Sequence, residues 1–202
     1  HVNANARETN QLGSTFQGQV RRVLMDLDGD GDLDLFVSYS AGLASGPSGL
    51  WWSAGDGQGG FGAFQLLATL PTVVLAIDAA DLDNDGFPEV MVAGFDGGNL
   101  VYLAGSPAGP SPTPLTLVTG ALGGPIVAAG DFDSDGFVDL FVRIEPNGTA
   151  TPGTQILFGN GTLPFTQTAA VPLNLSVQSM ILRDFDLDGD LDLLGNGGNG
   201  AA

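Results

Sequence analysis

The chain has 202 residues with 32 glycines, 12 prolines, 43% hydrophobic residues and no cysteine, enough for one domain or for an array of small units. Its net charge of −18, with only five basic residues, all arginine, excludes nucleic acid as a partner. The missing cysteines exclude a disulfide framework and thiol chemistry, and no apolar run approaches the roughly 20 residues of a membrane-spanning helix, so no membrane insertion is expected.

Residues 1–18 precede the first regular unit, and Leu12–Gln19 (LGSTFQGQ) looks like a later segment, GTLPFTQTAA at 161–170, read as an outer strand. Short β-branched and apolar runs then predict strands over Val20–Met25, Leu33–Tyr39, Gly49–Ala54 and Phe61–Leu70. A second set covers Val73–Ala79, Val90–Ala93, Leu100–Ala104 and Leu115–Val118, and a third Ile126–Ala129, Val138–Ile144, Gln155–Phe158 and Leu163–Thr168. A fourth set has only Val177–Leu182 and Leu191–Leu194 before the run GNGGNGAA. The fold class is all-β, one domain of repeats at about 19–70, 71–120, 121–175 and 176–202. Four short antiparallel strands per repeat describe the blade of a β-propeller. The fourth blade lacks about two strands, which the N-terminal stretch completes either in cis or in trans from another copy; a fragment of a longer array is the remaining reading.

Between the first two strands of every unit lies the same nine-residue pattern, D-x-D-x-D-G-x-x-[DE], starting at residues 26, 81, 131 and 184. Spacings of 55, 50 and 53 residues mark a repeat architecture. The candidate ligands are Asp26, Asp28, Asp30, Asp32 and Asp34; Asp81, Asp83, Asp85, Phe87 and Glu89; Asp131, Asp133, Asp135, Phe137 and Asp139; and Asp184, Asp186, Asp188, Asp190 and Asp192. Position 7 is Asp in two loops and Phe in two, so its backbone carbonyl is the expected ligand there.

Alternating carboxylates ahead of a glycine let a short loop turn several oxygens onto one point, and such a cluster repels itself without a cation. A set of hard oxygens with no sulfur or imidazole selects Ca2+, four ions in all, over Mg2+ with its tighter octahedron. An EF-hand would place Glu at position 12 between two helices; here position 12 is Val37, Val92, Val142 and Gly195, and the flanks read as strands. Asp and Gly are also ordinary turn residues, but four copies in one register make plain acidic turns a poor account. Eighteen of the 23 acidic residues lie in these loops, and four divalent ions would leave about −10, so the acidity is largely ligand inventory.

The four loops, the apolar strands after them (DLDLFVSYS, PEVMVAG, VDLFVRI, LDLLGN) and glycine segments such as LFGNG at 157–161 resemble the FG-GAP/VCBS calcium-binding propeller repeats over about residues 19–195. These are the repeats of integrin α-subunit heads, some fungal lectins and many bacterial secreted or surface proteins. The resemblance implies a calcium-stabilised propeller in an extracellular, secreted or cell-surface setting, with a structural, adhesive or assembly role. Family propellers usually have seven blades, and this chain has at most four calcium loops. Self-association, as a homo-oligomer or head-to-tail filament, and binding to other surface proteins or glycans are the expected partnerships.

An enzyme is not expected. His1 is the only histidine, so neither a histidine brace nor a Ser-His-Asp triad is well served, and the acids outside the loops (Glu8, Asp56, Asp78, Asp96, Glu145) select no catalytic pair. Asp78 sits inside an apolar strand and reads as a hydrogen-bonded structural carboxylate. Trp51 and Trp52 are adjacent and face opposite sides of a strand, one for the core and one for packing or for stacking on a sugar; the second motivates a lectin-like alternative. The Pro/Ser-rich stretch Ala104–Pro114 reads as a solvated insertion.

Overall fold

The computed structural model describes residues 19–40, 47–94, 99–118, 127–144, 153–163, 165, 171–173, 177–189 and 191–197. Among them are the strands β1 (Gln19–Met25), β2 (Asp34–Ser40), β3 (Ser48–Ser53), β4 (Gln65–Leu70), β5 (Val74–Ala80), β6 (Glu89–Gly94) and β7 (Leu100–Leu103). They continue as β8 (Leu115–Val118), β9 (Val127–Gly130), β10 (Asp139–Ile144), β11 (Gly153–Leu157), β12 (Val171–Leu173), β13 (Val177–Arg183) and β14 (Asp192–Gly197). Three antiparallel four-stranded meanders, β1-β2-β3-β4, β5-β6-β7-β8 and β9-β10-β11-β12, are followed by the hairpin β13-β14. Among the described residues no helix is long and apolar enough to cross a membrane.

Registers place each acidic loop at one end of its sheet. Met25 pairs with Asp34, Ala80 with Glu89, Gly130 with Asp139 and Arg183 with Asp192, so the four loops are the connections between the first two strands of each unit. The last acid of every motif is thus the first residue of a strand, anchored by the ladder.

The second strands β2 and β6, and β10 over residues 139–142, are buried on both faces, which is why they lack the apolar/polar alternation of a one-sided sheet. All six residues of β6 are buried. Val90 and Val92 join Leu27, Phe36, Leu50, Trp52 and Leu103 in a core between the first and second sheets. Met91 and Ala93 point the other way, into a core with Leu100, Tyr102, Leu140, Val142 and Leu157 between the second and third. Phe36 and Phe141 are fully buried, each contributing roughly 1.5–3 kcal/mol relative to exposure. The hydrophobic interior is therefore a series of inter-sheet layers.

Three polar contacts set the spacing of these layers. Arg21 Nε donates to the Leu75 carbonyl at 2.7 Å, joining β1 to β5. Ser48 Oγ donates to the Thr72 carbonyl at 2.7 Å and accepts the Val74 N–H at 3.1 Å, pinning the entry to the second sheet. Asp78, the odd acid of an apolar strand, accepts the N–H of Ala79 at 2.9 Å and that of Ala129 on β9 at 3.0 Å. It is a structural carboxylate, as expected, and it joins the second sheet to the third.

Three expectations are corrected. The described strand that pairs with β11 is Val171–Leu173; of the expected Leu163–Thr168, Leu163 and Phe165 are in no strand and pack against the core between the second and third sheets, while residues 164 and 166–168 lie outside the described residues. The last strand runs on through Gly195, Asn196 and Gly197, which pair with Met180, Ser179 and Val177; backbone pairing there overrides the low strand preference of glycine. The 104–114 stretch is a loop between β7 and β8 that is solvated only in part, with Pro107, Ala108, Pro112 and Thr113 exposed. Gly109 N–H bonds to the Ser106 carbonyl and Ser111 N–H to that of Ala104, both at 2.8 Å, and Gly109 and Pro110 are buried with Gly109 against the Trp52 ring. Residues 1–18, and with them the expected completion of the last unit, lie outside the described residues.

Replacing Asp78 with Ala leaves the Ala129 N–H without its acceptor across the sheet interface. We expect a loss of about 1–2 kcal/mol, read as a lower urea midpoint with unchanged m-value.

Candidate metal-binding loops

Each loop is shaped by its own carboxylates. The position-1 acid accepts two N–H groups from further along its loop: Asp26 from Gly29 and Gly31, Asp81 from Asp85 and Gly86, Asp131 from Asp135 and Gly136, Asp184 from Leu187 and Gly189, all between 2.6 and 3.1 Å. The position-5 acid accepts the position-7 N–H at 2.8–2.9 Å in the first three loops (Asp30 from Asp32, Asp85 from Phe87, Asp135 from Phe137). The position-1 acid uses both of its oxygens in this way and the position-5 acid one, and a carboxylate with about four lone-pair sites keeps acceptor capacity beyond these bonds.

The backbone makes the turn by going left-handed twice. Position 6 is glycine in all four loops, with φ between 89 and 102°. Position 4 is also left-handed, and there the residues are Gly29, Asn84, Ser134 and Leu187, at φ 76, 59, 60 and 64°. A left-handed Leu costs on the order of 1–2 kcal/mol, so the fourth loop is the strained one. Sequence reasoning missed position 4 because no single residue type marks it.

One carboxylate oxygen from each of three acids lies within 4.8 Å of the others in every loop: Asp26, Asp28 and Asp34; Asp81, Asp83 and Asp85; Asp131, Asp133 and Asp139; Asp184, Asp186 and Asp192. Positions 1 and 3 belong to all four clusters, while Glu89 is absent from its own, where Asp85 takes part instead. Asp30, Asp135 and Asp188 flank their clusters at position 5. At position 7 the Asp32 carboxylate lies against Gly57, the Phe87 ring against Gly29 and the Phe137 ring against Gly161, so these side chains contact neighbouring turns. Asp190 lies outside the described residues.

The position-9 acid has a second task that sequence reasoning did not find. Its first oxygen accepts the position-2 N–H: Asp34 from Leu27 (3.0 Å), Glu89 from Leu82 (2.9 Å), Asp139 from Phe132 (2.8 Å), Asp192 from Phe185 (2.9 Å). In the first three units its other oxygen accepts the N–H of a glycine just past the third strand: Gly55 to Asp34 at 2.8 Å, Gly105 to Glu89 at 3.2 Å, Gly159 to Asp139 at 2.8 Å. Each of these glycines passes so close to the main chain before position 9 that a Cβ would strike the carbonyl of Leu33, Phe87 or Val138. The signal was present in the repeats S-A-G, L-A-G and L-F-G, two residues after each third strand. Asp34, Glu89 and Asp139 are buried and clamp the loop onto the sheet; Asp34 and Asp139 also belong to their clusters.

The electrostatics fit a cation. Burial, reinforced by the neighbouring acids, raises the pKa of Asp28 and of Asp83. Burial pushes Glu89 up to about 7 and raises Asp139, against the pull of their two backbone N–H bonds. Asp83 Oδ1 is buried with no hydrogen-bond partner, an orphaned acceptor at the centre of the second loop. An all-oxygen donor set with an unpaired buried carboxylate oxygen is what a hard divalent cation satisfies.

The tryptophans do not form an exposed platform. Trp52 is buried in the first core, and Trp51 is half-buried beside Gly49.

Comparison with known proteins gives a result of the same form as this geometry. The family model described as an FG-GAP-like repeat matches residues 26–92 and again residues 81–142, each match running from one acidic loop through the second strand of the next unit. No curated protein matches the chain. Together the two matches cover more than half of the 202 residues, and the chain belongs to the FG-GAP-like repeat family.

Proposed function

We propose that this protein is an extracellular, calcium-binding module of the β-propeller type whose role is structural, adhesive or assembly-forming and not catalytic. The observation that carries the reading is the orphaned Asp83 Oδ1 inside a loop pattern repeated four times. Positions 1, 3 and 5, the inner oxygen of position 9 and the position-7 carbonyl would hold the ion, and the ion would neutralise carboxylates that otherwise repel one another across the hairpin. Extracellular calcium is abundant enough to fill such sites, and repeats of this family occur in extracellular proteins.

A non-catalytic role is supported by what the remaining acids do. Asp56 accepts the N–H groups of Gln58 and Gly60 in its own turn, and Asp78 spans two sheets. Head-to-tail self-association is the form of assembly we favour, through the fourth unit, which among the described residues has two strands where the others have four. The fourth strands end 11, 13 and 11 residues before Asp81, Asp131 and Asp184, and the residue eleven before Asp26 is Thr15. That spacing, rather than likeness to residues 161–170, is what supports reading the N-terminal stretch as an outer strand.

Calcium should raise the melting temperature on the order of 10 °C over a chelated sample, from about 1.4 kcal/mol per site at tenfold excess over Kd, with magnesium giving much less. Equal melting in calcium and in chelator would refute the reading.

The effect should also depend on pH. Glu89 is raised from 4.5 to about 7. In the metal-free protein the protonated group therefore contributes stability that is complete below about pH 4.5 and is lost as pH rises through 7. Calcium needs the ionised form, so its stabilisation should grow between pH 5 and pH 8, which parallel melts with calcium and with chelator will measure.

A further inference from the structure

The position-7 side chains of the first three acidic loops each lie on a neighbouring turn, and the second does so differently from the other two. In the first unit the Asp32 carboxylate lies against Gly57, and in the third the Phe137 ring lies against Gly161. Both glycines stand two residues past a clamp glycine, Gly55 or Gly159, and both are left-handed, at φ 62 and 68°. These contacts stay within one unit. In the second unit the residue two past the clamp glycine Gly105 is the exposed Pro107, and the Phe87 ring lies instead against Gly29, position 4 of the first loop.

The contact is close, and it suits this pair of loops. A Cβ on Gly29 would come within 2.8 Å of the Phe87 ring, so the ring needs a glycine at that place. Position 4 is glycine in the first loop alone, since Asn84, Ser134 and Leu187 each carry a Cβ. Gly29 is left-handed at φ 76° and its N–H bonds to Asp26 at 2.8 Å, so the half-buried ring rests on the turn around which the first cluster is built. The backbone of Phe87 belongs to the second loop. Its N–H bonds to Asp85 at 2.8 Å, and its carbonyl passes close to Gly105, whose own N–H holds Glu89. One residue thus touches the first loop with its ring and is fixed in the second by its main chain.

Resting on the reading of these loops as cation sites, we propose that the first and second loops bind their ions cooperatively, with Phe87 as the link. Its carbonyl is the position-7 ligand of that reading. With that carbonyl engaged, the Phe87 backbone is held and the ring stays seated on Gly29. The seated ring removes other conformations of the Gly29 turn, where a glycine has the most freedom to lose, and so pre-forms the first cluster. Coupling between two sites is reciprocal and commonly changes affinity by about fivefold or more. Phe137 is seated on Gly161 of its own unit, so the third loop fills independently and serves as the control.

Calcium alone, added to the full chain, is the probe, followed by NMR at the amides of Gly31, Gly86 and Gly136, each bonded to the first acid of its loop. Asp83→Ala, which disables the second loop, should move the Gly31 midpoint to about fivefold higher calcium or more. The same change should move it much less when Phe87→Ala is already present, and as far as before when Phe87→Tyr, which keeps a ring, is present instead. The Gly136 midpoint should hold throughout and reports that the chain is folded; Asp83→Asn replaces Asp83→Ala if that variant unfolds. A Gly31 midpoint indifferent to the Asp83 change, or one that moves as far without the ring as with it, overturns the coupling and leaves the calcium reading intact. Amides that answer to calcium at no loop overturn both.

Discussion

The interaction on which the rest of this structure depends is the clamp made by the closing carboxylate of each acidic loop. Asp34, Glu89 and Asp139 are buried carboxyl groups, and each is held by two backbone N–H groups from segments 16 to 21 residues apart on one side and seven on the other. A buried carboxylate is costly unless hydrogen-bonded or paired. Here the bonds come from the loop and from the far end of the third strand, so one carboxyl group joins the loop to the third strand. On the proposed function, a cation in the loop would favour the ionised form of that group and so couple metal binding to the integrity of the sheet.

The units share interiors, and this explains the strand sequences. β6 gives Val90 and Val92 to one core and Met91 and Ala93 to another, so it reads as a continuous apolar run. Arg21 and Ser48 join the first sheet to the second, and Asp78 joins the second to the third. Asp78 shows how a polar residue in such a run is accommodated: it takes one donor from its own strand and one from the next sheet.

Much of this was legible in the sequence. The four acidic motifs, their period and the apolar runs beside them pointed to the all-β class, the repetition and the clusters at positions 1 and 3, because each depends on local chemistry repeated in register. What was missed depends on contacts between segments. The clamp glycines Gly55, Gly105 and Gly159 follow turns of different length, so no fixed spacing ties them to their carboxylates. The left-handed position 4 is filled by Gly, Asn, Ser and Leu, so only the backbone reveals it. The third-unit outer strand was misplaced because Leu163 and Phe165 look like strand residues and are used as core plugs. The 104–114 stretch was misjudged because its Pro/Ser content says nothing of the Trp52 ring beneath Gly109.

The central claim is that the closing carboxylates bind loop and third strand into one cooperative unit. Native-state hydrogen exchange in calcium tests it at the amides of Gly55, Gly105 and Gly159 and of Leu27, Leu82 and Phe132. The account predicts that these six exchange with the same high opening free energy as the ladder amides of β2, β6 and β10. Exchange as fast as that of an exposed turn amide such as Gln58 would contradict it.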